Sequence, residues 1–171
     1  MNYSIDSDIR KAKTLPGSFY SDQHAYKKLL ENAFVKSWQW IGDVSTVNET
    51  GYCCPFELLP GSIGEPLLLS RDNEGNLRCM SNVCTHRGKI IVEKPSKMRY
   101  ISCGYHGRCF HLDGSFRSMP EFKETENFPT VDDNLTNLPL KNLGVFLFTA
   151  LNPEIDFETV FKPITDRLFW F

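Results

Sequence analysis

Along the middle of the chain, apolar residues gather in short runs separated by turn formers: WQWIGDVSTV, CCPFELL, PLLLSR, LRCMSNV, MRYISC, RCFHL and GVFLFTAL. Runs this short, bounded by Gly, Pro, Asn and Asp, read as strands, because a helix needs its apolar period sustained over several turns. Two connections carry residues that tolerate tight turns, Asp72-Asn73-Glu74-Gly75-Asn76 and Asp113-Gly114. Many short strands without intervening helical segments predict a mainly β chain. The expected architecture is an antiparallel sandwich or small barrel, not a stack of βαβ units.

Helical spacing is confined to the two ends. In SDQHAYKKLLENAF, Tyr26, Leu29, Leu30, Ala33 and Phe34 share one face, with Ser21 as the expected N-cap and Asp22 in the first turn. After Asn152-Pro153, Asp156 can cap a second helix whose Phe157, Val160, Phe161, Ile164 and Leu168 share a face, and Pro163 is expected to kink or interrupt it. The pattern divides the chain into a helical arm (1–37), a β-domain (38–151) and a C-terminal helix or linker (152–171). Ending on Leu168-Phe169-Trp170-Phe171 is unusual for a terminus, and the expectation is a domain boundary with a further part covering these rings; the alternative is that they fold back onto the β-domain.

Composition narrows the function classes. A net charge of −2 supplies no field for gripping nucleic acid or an anionic membrane surface. No apolar run approaches the roughly 18 residues that span a bilayer, and MNYSIDSDIRKAK lacks the apolar core of a secretory signal. Neither nucleic acid nor membrane is an expected partner, and the cytoplasm is the expected location. There, six cysteines are thiols or metal ligands rather than a disulfide framework.

Two of the four histidines sit beside cysteines, Cys84 with His86 and Cys103 with His106, each pair followed closely by glycine. Three readings compete. Zinc takes Cys2His2 tetrahedrally, although its structural sites usually pair like with like. The order Cys, His, Cys, His suits a two-iron cluster in which one iron keeps both thiolates and the other takes both imidazoles. The third alternative is buried thiols and hydrogen-bonded imidazoles with no metal. Ligand type and spacing favour the cluster. A loop wrapping a cluster must turn sharply and aim amide N–H groups at sulfur, a demand that Gly88, Gly104 and Gly107 would meet.

C-T-H-R-G with C-G-Y-H-G resembles the Rieske [2Fe–2S] signature, in the form found in ring-hydroxylating and related Rieske-type oxygenases. Leu15 to Trp40 resembles the family's N-terminal segment, RDNEGNLRCMSNVCTHRG the hairpin into the first ligand loop, and FHLDGSFRSMPEF and LGVFLFTALNPE the closing strands. The whole chain resembles the N-terminal part of an oxygenase large (α) subunit. The resemblance implies a Rieske-type antiparallel β-sandwich with two cluster-binding loops, flanked by an N-terminal and a C-terminal helix. It implies Cys84 and Cys103 on the buried iron and His86 and His106 on the exposed one. Arg87, Gly88, Gly104, Tyr105 and Gly107 would complete the loops around the cofactor.

The resemblance further implies one-electron transfer from a reductase or ferredoxin to a non-haem iron site, carried by a neighbouring subunit of a homotrimer. Lys89 and Tyr105 stand where respiratory Rieske proteins carry a disulfide. Arg108 and Phe110 stand where those proteins carry hydroxyls that raise the potential, so a low-potential cluster is expected. Two residues depart from the oxygenase pattern, Gly104 for Pro and Arg108 for Trp, and the second is expected to set a charge beside the loop. The remaining cysteines, Cys53, Cys54, Cys79 and Cys109, are expected to be buried thiols. His24, His111, the Glu93–Lys97 loop, Asp132 and Asp133 are expected to be ordinary surface or turn features. No pair of histidines offers the spacing of a two-histidine, one-carboxylate iron site, so no catalytic residue is assigned and the chain alone is not expected to hydroxylate. A free-standing Rieske ferredoxin and a zinc-stabilised binding module are the alternatives.

Overall fold

The computed structural model describes residues 3–122 and 124–168, so the terminal Phe169, Trp170 and Phe171 lie outside the described residues. Strand β1 (Gln39–Asp43) leads into a 3-10 turn and a meander of β2 (Tyr52–Leu58), β3 (Glu65–Arg71) and β4 (Leu77–Ser81). Shorter strands follow: β5 (Ser96–Lys97), β6 (Ile101–Ser102), β7 (Cys109–Phe110), β8 (Phe116–Ser118), β9 (Asn137–Leu138), β10 (Leu140–Leu143) and β11 (Phe146–Thr149). They form three antiparallel sheets, ordered β5-β2-β3-β4-β9, β1-β11-β10 and β6-β7-β8.

The run Leu67-Leu68-Leu69 shows how the layers stack. Successive strand residues point to opposite faces, yet all three leucines are buried, so β3 is covered on both sides. Leu67 and Leu69 pack with Val47, Cys79 and Leu147, towards the sheet that joins β1 to β11. Leu68 packs on the other face with Cys53, Met80, Ile101, Phe110, Cys84 and Cys103. The expected sandwich is therefore present, and one of its two cores contains the motif cysteines. Burying a leucine side chain stabilises the fold by about 1.5–3 kcal/mol, so the motif sulfurs sit against a substantial core.

The β3–β4 connection is the turn that the Asp72–Asn76 stretch predicts. The Asp72 carboxylate accepts from the amides of Glu74 (3.1 Å) and Asn76 (2.7 Å) and from Arg78 Nε (2.8 Å). At the N-terminus, helix α1 spans only Gln23–Leu29, and a wider turn over Leu30–Phe34 continues it. Its cap is Asp22, which accepts from the amides of His24 and Ala25, and not Ser21. The carboxylate two residues before His24 reaches the free amides, whereas Ser21 still belongs to the preceding 3-10 turn. Helix α2 (Phe157–Leu168) begins at Asp156, whose carboxylate accepts from the Thr159 amide, and continues through Pro163 without interruption. Its Phe157 and Phe161 pack on Phe148 of β11, and Phe157 also meets Trp38 edge-on. No helix among the described residues is long and apolar enough to cross a membrane.

Candidate metal centre

The two motif segments fold into matching knuckles. The first leaves β4 through a bridge between Val83 and Ile90, and the second is closed by β6 and β7, with Ser102 opposite Cys109. In the first, the Cys84 amide donates to the Lys89 carbonyl (2.8 Å) and the Gly88 amide to the Cys84 carbonyl (3.0 Å). In the second, the Cys103 amide donates to the Arg108 carbonyl (2.8 Å) and the Gly107 amide to the Cys103 carbonyl (3.1 Å). Both knuckles therefore run six residues from the cysteine to a basic residue, with glycine fifth. Gly88 (φ +68°) and Gly107 (φ +71°) occupy left-handed backbone, which excludes most side chains. Gly104 departs from the expectation placed on it: its φ is not left-handed, and a Cβ there would meet only Lys89 Cε at 3.9 Å.

Cysteine starts each knuckle, but histidine is third in one and fourth in the other. That offset turns the two imidazoles towards each other, with ring centroids 4.8 Å apart and planes at 72°. Both cysteines are nearly fully buried, and His86 is half-buried while His106 is exposed. Tyr105 stacks on His106 at 3.8 Å, and Phe122 lies 6.2 Å from His86. Arg87 is exposed beside them. Burial pushes the Cys84 thiol up, the neighbouring Cys103 adds to that rise, and the amides of His86 and Arg87, aimed at its sulfur, oppose it. Desolvation lowers the His86 pKa, helped by His106, Arg108 and Arg87.

The donors thus separate into two thiols inside and two imidazoles outside. Among the described residues no three His, Cys, Asp or Glu side chains converge on a single ion position. Two donor pairs fit a cofactor with two metal atoms, the thiol pair serving one and the imidazole pair the other.

The remaining residues fall only in part where the pattern placed them. Cys53 and Cys79 are buried as expected, which pushes their thiols up to about 12 and about 11, whereas Cys54 and Cys109 are only half-buried and depart from the buried thiols expected there. His24 and His111 are exposed. The pairing of Arg108 with Asp133 was not anticipated. Arg108 is turned inward and only 3% exposed, and it forms an ion pair with Asp133 at 3.1 Å. No local signal joins two residues this far apart in sequence. The turn itself was legible, since Thr130 and Asp133 form a reciprocal capping box. A concavity of about 740 Å3, lined by Lys97, Arg99, His111 and Arg117, includes none of the four motif donors, and the chemistry is read from the knuckles instead.

Comparison with known proteins agrees with this geometry. The family described as the Rieske [2Fe-2S] domain matches residues 37–129. The chain is 33% identical over 157 residues to the chloroplastic choline monooxygenase of Beta vulgaris, covering 90% of this chain and 34% of that protein. It is 31% identical over 146 residues to the carnitine monooxygenase oxygenase subunit of Escherichia coli K12, covering 85% and 38%. A solved quaternary ammonium Rieske monooxygenase, described for carnitine oxidation and inter-subunit electron transfer, superposes with a TM-score of 0.82 at 25% identity, over 93% of this chain and 43% of that one. The chain spans about a third of the length of these curated relatives.

Proposed function

The chain belongs to the Rieske [2Fe-2S] domain family, and from that premise we propose that it is the electron-entry domain of a non-haem iron oxygenase α subunit. A Rieske-type [2Fe–2S] cluster is the family's cofactor and supplies reversible one-electron storage when bound. Cys84 and Cys103 would hold the inner iron and His86 and His106 the outer one. The observation that carries the assignment is the pair of core thiols set behind a pair of surface imidazoles.

Each residue's contribution follows from its place. Core packing keeps water from Cys84 and Cys103, and the amides of His86 and Arg87 stabilise negative charge on the Cys84 sulfur. Gly88 and Gly107 let both knuckles close, and Tyr105 holds the His106 ring by stacking on it. Gly104 and the exposed Arg87 complete the loop surfaces. An imidazole bound through one nitrogen keeps the other N–H free at the surface, which gives the electron a way out and a proton site coupled to it.

The same reading assigns an arm to residues 1–37, the cluster domain to 38–151 and a helix towards a catalytic domain to 152–171. Its donor is a reductase or ferredoxin, and the recipient is a non-haem iron domain in a neighbouring subunit of a homotrimer. The described inter-subunit transfer in the solved relative supports that arrangement. The names of the relatives favour a quaternary ammonium substrate for the complete protein. Six free cysteines agree with a reducing compartment, and we assign the cytoplasm.

The test is spectroscopic. His86→Cys and His106→Cys are each expected to abolish the Rieske visible and rhombic electron paramagnetic resonance (EPR) signature or convert it to a ferredoxin-like one. An unchanged spectrum in either variant removes that histidine from the ligand set.

A further inference from the structure

Arg108 is a buried cation in a chain that gives few charged groups to its interior. Burying a guanidinium is unfavourable unless its donors and its charge are met. Here both are. Nη1 donates to Thr85 Oγ1 at 2.7 Å and lies 3.1 Å from Asp133 Oδ1, and Nε points at Met119 Sδ at 3.4 Å. The rings of Phe116 and Phe128 each lie 5.5 Å from the guanidinium carbon, a contact that a planar, delocalised cation makes well. Thr85 in turn donates to the Asp133 carbonyl at 2.9 Å.

The place of these bonds matters more than their number. Arg108 is the last residue of the second knuckle, where its own carbonyl accepts the closing bond from Cys103. Thr85 lies between Cys84 and His86 in the first knuckle. Asp133 ends the Val131–Asp133 turn, and the segment before it also bears on the site, with Pro120 against Gly107 and Phe122 near His86. One guanidinium therefore ties the first knuckle, the second knuckle and the covering segment together.

We propose that Arg108 is a positioning residue: through Thr85 and Asp133 it clasps the two ligand loops, and its charge, balanced by Asp133, sets the cluster's reduction potential. The inference rests on the ligand assignment above. A cation near the cluster favours the more negative reduced state, and the Asp133 carboxylate offsets that effect. Removing either partner therefore moves the potential in opposite directions.

The test uses the loaded protein and four variants: Arg108→Gln, Arg108→Lys, Asp133→Asn and Thr85→Val. Arg108→Gln is expected to lower the reduction equilibrium constant about tenfold, about 59 mV for a one-electron couple, and Asp133→Asn to raise the potential. Arg108→Lys is expected to keep most of the wild-type potential but to broaden the EPR lines, because an ammonium cannot reproduce the fork. Thr85→Val is expected to speed cluster loss to a chelator about tenfold with little change in melting temperature. Shifts of the same sign in Arg108→Gln and Asp133→Asn, or unshifted potentials beside a lowered melting temperature, would overturn the clasp and leave Arg108 a packing residue. Should Arg108→Gln fail to fold, the Thr85→Val and Asp133→Asn pair decides: cluster-loss effects that combine non-additively support the clasp, and additive effects sink it. A wild-type protein without a Rieske signal would instead overturn the ligand assignment itself, so the two failures are distinguishable.

Discussion

Gly104 and Gly107 lie in the same knuckle, yet alanine is expected to act oppositely at the two positions. At Gly107 (φ +71°) the left-handed backbone would crowd a Cβ against the following carbonyl oxygen, which costs about 1–2 kcal/mol for an L-residue. It would also stand 3.1 Å from Pro120 Cγ and 3.4 Å from Cδ, and a proline ring cannot swing aside. At Gly104 the backbone is not left-handed, and the nearest atom is the flexible end of Lys89 at 3.9 Å. Alanine there removes freedom only from the unfolded chain, a gain of about 0.4–1 kcal/mol. The two variants should therefore differ by about 2 kcal/mol, which for a chain of this size is about 4–8 °C in melting temperature. Thermal melts of the loaded protein followed by circular dichroism measure the separation. Gly104→Ala melting at or below Gly107→Ala would refute the geometric argument.

Two further outcomes follow from side chains already placed. Neither Phe110, which is fully buried, nor Arg108, which is paired with Asp133, carries a hydroxyl that could donate to a cluster sulfur. The potential should fall towards the low end of the Rieske range of about −150 to +300 mV, and a redox titration giving a midpoint above about +150 mV at pH 7 would contradict this. Acid should selectively undo the β3–β4 turn. Burial works to raise the Asp72 carboxyl, but Arg78 and the amide and side chain of Asn76 outweigh it and hold the group below its ordinary value. A depressed carboxyl contributes stability that is present above its unfolded pKa and lost as pH falls through the folded one. The melting-temperature gap between wild type and Asp72→Asn should accordingly shrink below about pH 4, and a constant gap across that range would exclude Asp72 as the source.

What was legible in the sequence is what short-range physics determines. The apolar runs marked the longer strands, the Asp72–Asn76 and Asp113-Gly114 turns held, and Asp156 capped the second helix. The two-residue strands β5 and β9 carry no periodicity of their own and exist because a neighbour offers an edge. Leu67-Leu68-Leu69 read as a strand but could not reveal which leucine faced the motif cysteines, since that depends on which layer covers each face. Ser21 and Asp22 are adjacent and both are good caps, so the choice fell to where the preceding turn ended. The pairing of Arg108 with Asp133 escaped the sequence for a related reason. Arg108 read as a charge beside the loop and Asp133 as a turn residue, and only the fold brings the two together.

The matched knuckles also explain why the motif is asymmetric in sequence but paired in space. Both close with the same hydrogen bonds, so a histidine at the same position in each would project in the same sense from two loops that face each other. Moving it from the third position to the fourth rotates the second imidazole towards the first. The two rings then differ in surroundings: His86 is half-buried near Phe122, while His106 is exposed with Tyr105 stacked on one face. On the proposed ligand assignment, the more exposed ligand edge is that of His106, and the buried side of the site is braced by Arg108. The arrangement leaves one edge open for electron exchange and anchors the other three sides in the fold: the core behind the sulfurs, the covering segment beside His86, and the clasp between the loops.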